Sequence, residues 1–381
     1  MGKIFTALGL MSGTSMDGVD VSIIKSDGYS QFSNILDDYY EFDNELHERL
    51  LSLRNSITTK ENLIEFSKEL KILERDLTLF HSKVVNKTSS KFIDKIDLLG
   101  FHGQTIFHNP EIKISKQLGD GNLLSQLTQK NVIYNFRQND LKNGGQGAPL
   151  TPIFHNLLAN NILSENKNEL FNIMNIGGIT NITKTVKNQE LLSSSFQAFD
   201  IAPGNCLIDN WIQKNSDKKY DKDGMIAKSG KIDELILNQA IENFKLHSYE
   251  KSLDIKDFDI SFAKGLSLED GCATITNFTA YLISEGIRFL NNNNLTDYKN
   301  ILVCGGGRKN IYLMETIKSY LKYSKDFKIE SIDTFNLEGD YIESQAFGYL
   351  AIRSYLGLPI SFPNTTRCKK PTLGGVLVKN F

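Results

Sequence analysis

The stretch Ile4-Phe-Thr-Ala-Leu-Gly-Leu-Met-Ser-Gly-Thr-Ser-Met-Asp-Gly-Val-Asp20, followed by Val21-Ser-Ile-Ile24, decides the fold class. Ile4 to Leu10 is an apolar run of β type, and Val19 to Ile24 is a second one. Turn residues fill the space between them, so the segment is predicted as a hairpin with a small-residue loop. Such a loop, set directly after a strand, exposes backbone N–H groups. With the hydroxyls of Thr14 and Ser15, these can wrap a phosphate. Asp17 and Asp20 supply the one or two carboxylates that a hydrated Mg²⁺ uses beside phosphate oxygens. The competing reading is a tight hairpin whose Ser and Asp side chains bond their own backbone. No Gly-Lys-Ser/Thr follows, so the loop is not of Walker type.

Working outward, the pattern recurs. Leu170 to Ile176 reads as a strand, Gly177-Gly178 as a turn, and Thr180 to Val186 as a returning strand. Both halves therefore open with strand, glycine turn, strand, which is the mark an internal repeat leaves. Asp97 to Phe101, Val132 to Phe136 and Asn300 to Cys304 are further strands. Apolar residues at helical spacing mark Glu41 to Arg54, Lys60 to Lys87, Ile232 to Phe244, Ala273 to Leu290 and Glu343 to Leu356. A coil-like tail is expected from Pro359. Alternating strands and helices indicate an α/β protein. The glycine-rich segment Asn143 to Pro149 reads as a domain crossing. The expected lobes are 1–145, rejoined by 357–381, and 146–356. Two α/β lobes joined in this way place a ligand in the cleft between them.

Composition narrows the partners. A chain of 381 residues suggests two domains, and 40% hydrophobic with 23% charged residues is ordinary for a globular core. The net charge of −2 comes with no basic stripe, which argues against nucleic acid. No apolar run approaches the ~20 residues of a membrane span, so no membrane partner is expected. The four cysteines are dispersed, with no metal-ligand spacing, as suits a reducing cytoplasm. Met1-Gly2 with Thr6 matches the loose myristoylation pattern, but these residues read better as the start of a buried strand.

Several residues then stand out. The Gly305-Gly306-Gly307 turn would let backbone lie flat against a base or ribose. Asp200, in Phe199-Asp-Ile-Ala-Pro-Gly-Asn205, is placed like a general base at a strand end. The competing reading, favoured for an arbitrary Asp in such a place, is an N-cap for a helix over Asn205 to Trp211. Arg137 ends an apolar strand and could offer its fork to a carboxylate, or form a surface ion pair with Asp140. His102 and His108 are read as one turn residue and one surface residue rather than as metal ligands. Asp221-Lys-Asp223-Gly224 starts like a calcium loop but has Ile226 where glycine is required.

Met11 to Asp20 closely resembles the anhydro-N-acetylmuramic acid kinase family. Gly100-Phe-His-Gly-Gln-Thr105, Gln117-Leu-Gly-Asp-Gly121, Phe136-Arg-Gln-Asn-Asp140 and Gly144-Gly-Gln-Gly-Ala-Pro-Leu150 continue the resemblance in order. So do Asn175-Ile-Gly-Gly-Ile-Thr-Asn181, Phe199-Asp200 with Pro203-Gly-Asn205, Cys304-Gly-Gly-Gly-Arg308 and Glu343-Ser-Gln-Ala-Phe347. The resemblance implies a two-lobed fold of the actin, hexokinase and heat-shock-70 type, ribonuclease H-like, with ATP between the lobes. It also implies hydrolysis of the 1,6-anhydro bond of anhydro-N-acetylmuramic acid with phosphorylation of O6. The product, N-acetylmuramic acid 6-phosphate, belongs to peptidoglycan recycling.

Carried over by motif, Gly13, Thr14, Ser15, Met16, Asp17, Gly18, Val19 and Asp20 bind ATP, as do Gly177, Gly178, Gly305, Gly306 and Gly307. Asp200 matches the carboxylate that deprotonates the attacking water, and Arg137, Glu343 and Thr105 match substrate-pocket residues. ATP and Mg²⁺ are the implied cofactors, and a homodimer stays open. Three stretches depart from the family pattern: Ile201-Ala202, Lys251 to Lys256, and Arg367 where glycine is common. A kinase of a related sugar acid and a nucleotide-dependent switch without catalysis are the competing functions.

Overall fold

Phe5–Ser12 (β1) and Gly18–Ser26 (β2) pair antiparallel from Phe5 with Ser26 to Met11 with Asp20, forming the expected hairpin with a loop shortened to residues 13–17. The structure is a computed structural model that describes residues 2–166, 171–187, 190, 192, 196–244, 249, 251–292, 300–322 and 327–381. The chain divides into two units, Met1–Leu157 with Tyr341–Phe381, and Leu158–Asp340.

In the first unit the hairpin continues into β3 (Phe32–Glu41), then α1 (Asn44–Ser56), α2 (Lys60–Glu65) and α3 (Ser67–Ser89). β4 (Leu98–Asn109), β5 (Ile114–Leu118), α4 (Gly121–Thr128), β6 (Asn131–Tyr134), α5 (Gln138–Lys142) and α6 (Pro152–Asn166) follow, and the division at Leu157 falls inside α6. The strand order β3-β2-β1-β4-β6 has antiparallel pairs on the hairpin side and parallel pairs from β1 to β4 and from β4 to β6. Residues directly opposite across a ladder share a face. Leu8, Leu10, Val21, Ile23, Leu99 and Phe101 thus lie on one face, buried in one cluster with Leu46 and Leu50 of α1 and Leu70, Leu73 and Leu77 of α3. Each such side chain contributes about 1.5–3 kcal/mol on burial. The apolar spacing that predicts a helix over Lys60 to Lys87 is interrupted at Phe66, where α2 ends and α3 begins.

The second unit repeats this plan. Its elements are β7 (Asn172–Ile176), β8 (Ile179–Lys184), β9 (Gln197–Pro203), α7 (Cys206–Asn215), α8 (Met225–Ser229), α9 (Glu234–Asn243), α10 (Leu268–Asn292), β10 (Asn300–Cys304), α11 (Ile311–Leu321) and β11 (Lys328–Ser331). The order β9-β8-β7-β10-β11, antiparallel on the hairpin side and parallel on the other, matches β3-β2-β1-β4-β6 strand for strand. The recurrence legible in the sequence is therefore a repeat of sheet topology.

The chain returns to the first unit with α12 (Ile342–Tyr355), α13 (Pro363–Thr366) and β12 (Val376–Val378). α12 covers the face of β1 and β4 opposite α3. A Cβ on Gly9 would lie 1.9 Å from the Ser344 carbonyl oxygen, and one on Gly100 would lie 2.2 Å from that of Phe347. Only hydrogen at both positions lets the helix backbone come this close to the sheet. β12 pairs with β6, adding an antiparallel strand within the tail expected to be coil.

The division differs from the expected lobes 1–145 and 146–356. Helix 342–355 packs in the first unit, and the segment Asn143 to Pro149 is no crossing but a loop wrapped around a buried carboxylate. Asp140 accepts from the N–H of Gly147 at 2.7 Å and from the hydroxyls of Ser361 (2.6 Å) and Thr366 (2.7 Å). Met1 and Leu170, included in the sequence reading, lie outside the described residues. Among the described residues no helix is long and apolar enough to cross a membrane, and none of the four cysteines is in a disulfide.

Candidate active site

Functional candidates of the first unit gather at the carboxyl ends of β1, β4 and β6, where open α/β sheets bind ligands. The loop after β1 is fixed from several sides. Gln104 Nε2 donates to the Gly13 carbonyl at 2.9 Å, His47 Nδ1 to that of Met16 at 2.7 Å, and Arg54 to that of Thr14 at 3.3 Å. Met16 has a left-handed backbone (φ 57°), and its side chain is buried in the core with that of Val19. Thr14 and Ser15 are exposed at the tip, and Ser15 donates to Asp17 Oδ1 at 2.6 Å. Gly18, Val19 and Asp20 are residues of β2 rather than of the loop. A Cβ on Gly18 would meet the Tyr40 carbonyl at 2.5 Å, so packing against β3 accounts for that glycine.

Arg137, just past β6, is held by its surroundings. Its Nε and Nη2 donate to His102 Nε2 at 3.1 and 2.9 Å, and Nη1 donates to the Gly147 carbonyl at 2.8 Å. His102 is buried, against the expectation of a turn or surface histidine. Burial, and then the charge of Arg137, hold its imidazole well below the usual histidine range. Asp140, which the competing reading made a surface ion-pair partner for Arg137, is instead buried in the loop interior. Thr105, on β4, accepts from Gln117 Nε2 at 3.2 Å. Glu343 is in the first turn of α12, whose start is tied to β2 by Ser344 Oγ to Ser22 Oγ (2.6 Å) and to β3 by Gln345 Nε2 to Asp37 (3.1 Å).

In the second unit the two predicted glycine turns interlock. Gly305 has φ +80°, and a Cβ there would lie 2.3 Å from Asn175 Oδ1; one on Gly307 would lie 2.2 Å from Ile176 Cγ2. Gly204 and Asn205 donate their N–H groups to the carbonyls of Gly178 and Gly177, both at 2.8 Å. Arg308 anchors the second turn, donating to the Gly305 carbonyl (3.0 Å), to Asp333 (2.7 and 2.9 Å) and to Asp340 (2.5 Å). Burial opposes the Asp333 charge, but its bonds from Arg308 and Ser331 win and hold its carboxyl down to about 2.

Asp200 is a residue of β9, buried to 8% exposure, and its Oδ2 accepts the N–H of Leu253 at 3.0 Å. It is not a helix cap: α7 begins at Cys206 behind Asn205, which makes no side-chain capping bond. The Leu253 contact was not legible in the sequence, because a backbone N–H carries no side-chain signature. It brings the departing stretch Lys251 to Lys256 directly against Asp200, not into a remote loop. Ala202 is an extended residue of β9, so its departure from glycine carries no backbone strain. Arg367 does carry strain, with φ 66°.

For a cation, Asp17 and Asp20 present hard oxygen donors, as Mg²⁺ requires. Among the described residues no group of three or more His, Cys, Asp or Glu is placed to hold a metal. Asp221 is occupied structurally, accepting the N–H groups of Ile226 (2.8 Å) and Ala227 (3.0 Å).

A family model described as anhydro-N-acetylmuramic acid kinase matches residues 5–380. The anhydro-N-acetylmuramic acid kinase of Pelagibacter ubique is 53% identical over 385 residues, covering 100% of both chains. That of Agrobacterium fabrum is 36% identical over 386 residues, again covering 100% of both. Among solved structures, the activator of the 2-hydroxyisocaproyl-CoA dehydratase from Clostridium difficile with bound ADPNP is 12% identical. It covers 93% of this chain and 96% of its own, with a TM-score of 0.40. Glucokinase from Balamuthia mandrillaris in complex with glucose, also 12% identical, covers 92% and 94% with a TM-score of 0.38.

Proposed function

Because the chain belongs to the anhydro-N-acetylmuramic acid kinase family and is a kinase of that family, we propose that it acts on 1,6-anhydro-N-acetylmuramic acid with ATP. Water adds to the anomeric carbon, the bond from that carbon to O6 breaks, and O6 takes the γ-phosphoryl group. The products are N-acetylmuramic acid 6-phosphate and ADP, in cytoplasmic peptidoglycan recycling. The observation that carries this reading is the placement of Asp200, a buried carboxylate on strand β9 that accepts the peptide N–H of Leu253.

Asp200 accepts the proton of the attacking water, the task of a positioned general base. Transfer of the phosphoryl group to O6 as the acetal opens spares the leaving oxygen a full negative charge. One carboxylate then suffices where ordinary glycosidases use two. Arg137 holds the lactyl carboxylate, with Glu343 and Thr105 beside the sugar. The backbone of the Gly13 to Asp17 loop receives the ATP phosphates, and the Gly177-Gly178 and Gly305 to Gly307 turns receive the rest of the nucleotide. Mg²⁺, held by Asp17 and Asp20, would supply charge neutralisation on those phosphates.

The test is mass spectrometry after incubating the protein with ATP, Mg²⁺ and a panel of anhydro-sugars. The expected result is a gain of one phosphoryl group (HPO3) and one water on the anhydro-muramic acid. Phosphorylation confined to another sugar acid would transfer the assignment to that substrate, and ATP turnover without any sugar product would overturn it.

A further inference from the structure

We propose that His102 is a positioning residue for Arg137: a neutral acceptor that aims the guanidinium without cancelling its charge. The inference rests on the reading of Arg137 as the carboxylate-binding residue. Its geometric basis is the pair of bonds from Arg137 Nε (3.1 Å) and Nη2 (2.9 Å) that converge on His102 Nε2.

The partners dictate the state of the imidazole. A guanidinium can only donate, so His102 Nε2 must offer its lone pair. The Gly103 carbonyl, 2.7 Å from Nδ1, can only accept, so the proton sits on Nδ1. The ring is also packed on Phe347, with centroids 4.5 Å apart, on the helix that carries Glu343. Nothing in this arrangement lets the ring rotate without breaking a bond at each end.

The consequence lies in the edges of the guanidinium. With the Nε/Nη2 edge given to His102, fork-to-fork pairing with a carboxylate must use the Nη1/Nη2 edge. The bond from Nη1 to Gly147, at 2.8 Å, fixes the same plane from the other side. The usual device for orienting a buried arginine is a carboxylate, which neutralises it. A neutral histidine orients it and brings no charge of its own to the guanidinium. Sequence position 102 therefore bears on affinity for the sugar acid through Arg137.

Four variants test this with the full chain: His102→Met, which removes the acceptor at similar volume, His102→Gln, which restores an acceptor oxygen, Arg137→Ala, and His102→Met with Arg137→Ala. Sugar KM, ATP KM, kcat and Tm are read for each. His102→Met is expected to raise sugar KM about tenfold or more, with kcat and ATP KM within a few-fold, and His102→Gln to recover most of the loss. In the Arg137→Ala background the second change should add nothing to sugar KM. A folded His102→Met variant with unchanged sugar KM overturns the proposal. So does a folded His102→Gln variant whose sugar KM is itself raised about tenfold or more, and this arm decides alone if the Met variant does not fold. Arg137→Ala with unchanged sugar KM would instead overturn the reading of Arg137 itself, and the proposal with it.

Discussion

The backbone N–H of Leu253 donates to Oδ2 of Asp200 at 3.0 Å, joining a short loop to the middle of strand β9. The contact orients the carboxylate that the proposed chemistry uses as a base. Asn at this position keeps an acceptor for Leu253 and nearly the same volume. Asp200→Asn should therefore keep its Tm while product formation falls by roughly 10²–10⁴. Asp200→Ala should lose activity and also melt earlier, since the Leu253 N–H is left without its acceptor. Activity of the Asn variant within a few-fold of the parent would remove Asp200 from the mechanism.

Glycines separate into those the fold needs and those with room to spare. A Cβ on Gly13 meets nothing nearer than Ser15 Oγ at 4.0 Å, and one on Gly306 nothing nearer than Asn205 Nδ2 at 3.7 Å. Gly13→Ala and Gly306→Ala should melt like the parent yet raise ATP KM, because the added methyl would stand where backbone meets nucleotide. Gly9→Ala should do the reverse, lowering Tm through its clash with the Ser344 carbonyl. Unchanged ATP KM in both open-site variants would place the nucleotide elsewhere.

His81, on α3 against the ring of Phe101, is fully buried, and burial pulls its imidazole down to about 4 against the opposing bond to the Leu77 carbonyl. Between pH 6.5 and 4 the unfolded chain binds a proton that the folded chain refuses. Stability is thus complete above pH 6.5 and falls as pH drops, by up to about 1.4 kcal/mol per unit from this group. His155, held down to about 3 by burial, adds to the same trend. Thermal melts from pH 7 to 5 should show the decline, and His81→Leu should make it shallower. An identical slope in the variant would show that His81 does not contribute.

Arg367 occupies a left-handed backbone conformation (φ 66°, ψ 18°) at the end of α13. That conformation costs a non-glycine residue about 1–2 kcal/mol. Arg367→Gly relieves the cost, offset by the greater freedom of glycine in the unfolded chain. The Gly variant should match or exceed the parent Tm, and Arg367→Val, β-branched, should fall below it. If Gly lowers Tm as much as Val, the bond from Arg367 to the Asn364 carbonyl (2.7 Å) matters more than the backbone.

From sequence alone came the hairpin around Gly13, the glycine turns at Gly177 and Gly305, the α/β class and the family motifs. These are local signals: apolar alternation, turn residues and short spacings are written where they act. Strand β3 escaped because none of its residues is buried, so no apolar run marks it. Tertiary structure alone decided that α12 covers the first sheet. Helical periodicity names an apolar face but not the surface that receives it, and the receiving surface here is two glycines of distant strands. It alone also decided what holds Arg137 and Asp200. His102 and Leu253 reach them across 35 and 53 positions. One partner is a backbone N–H common to nearly every residue, and the other is a histidine whose role depends on which side of a ring meets a guanidinium.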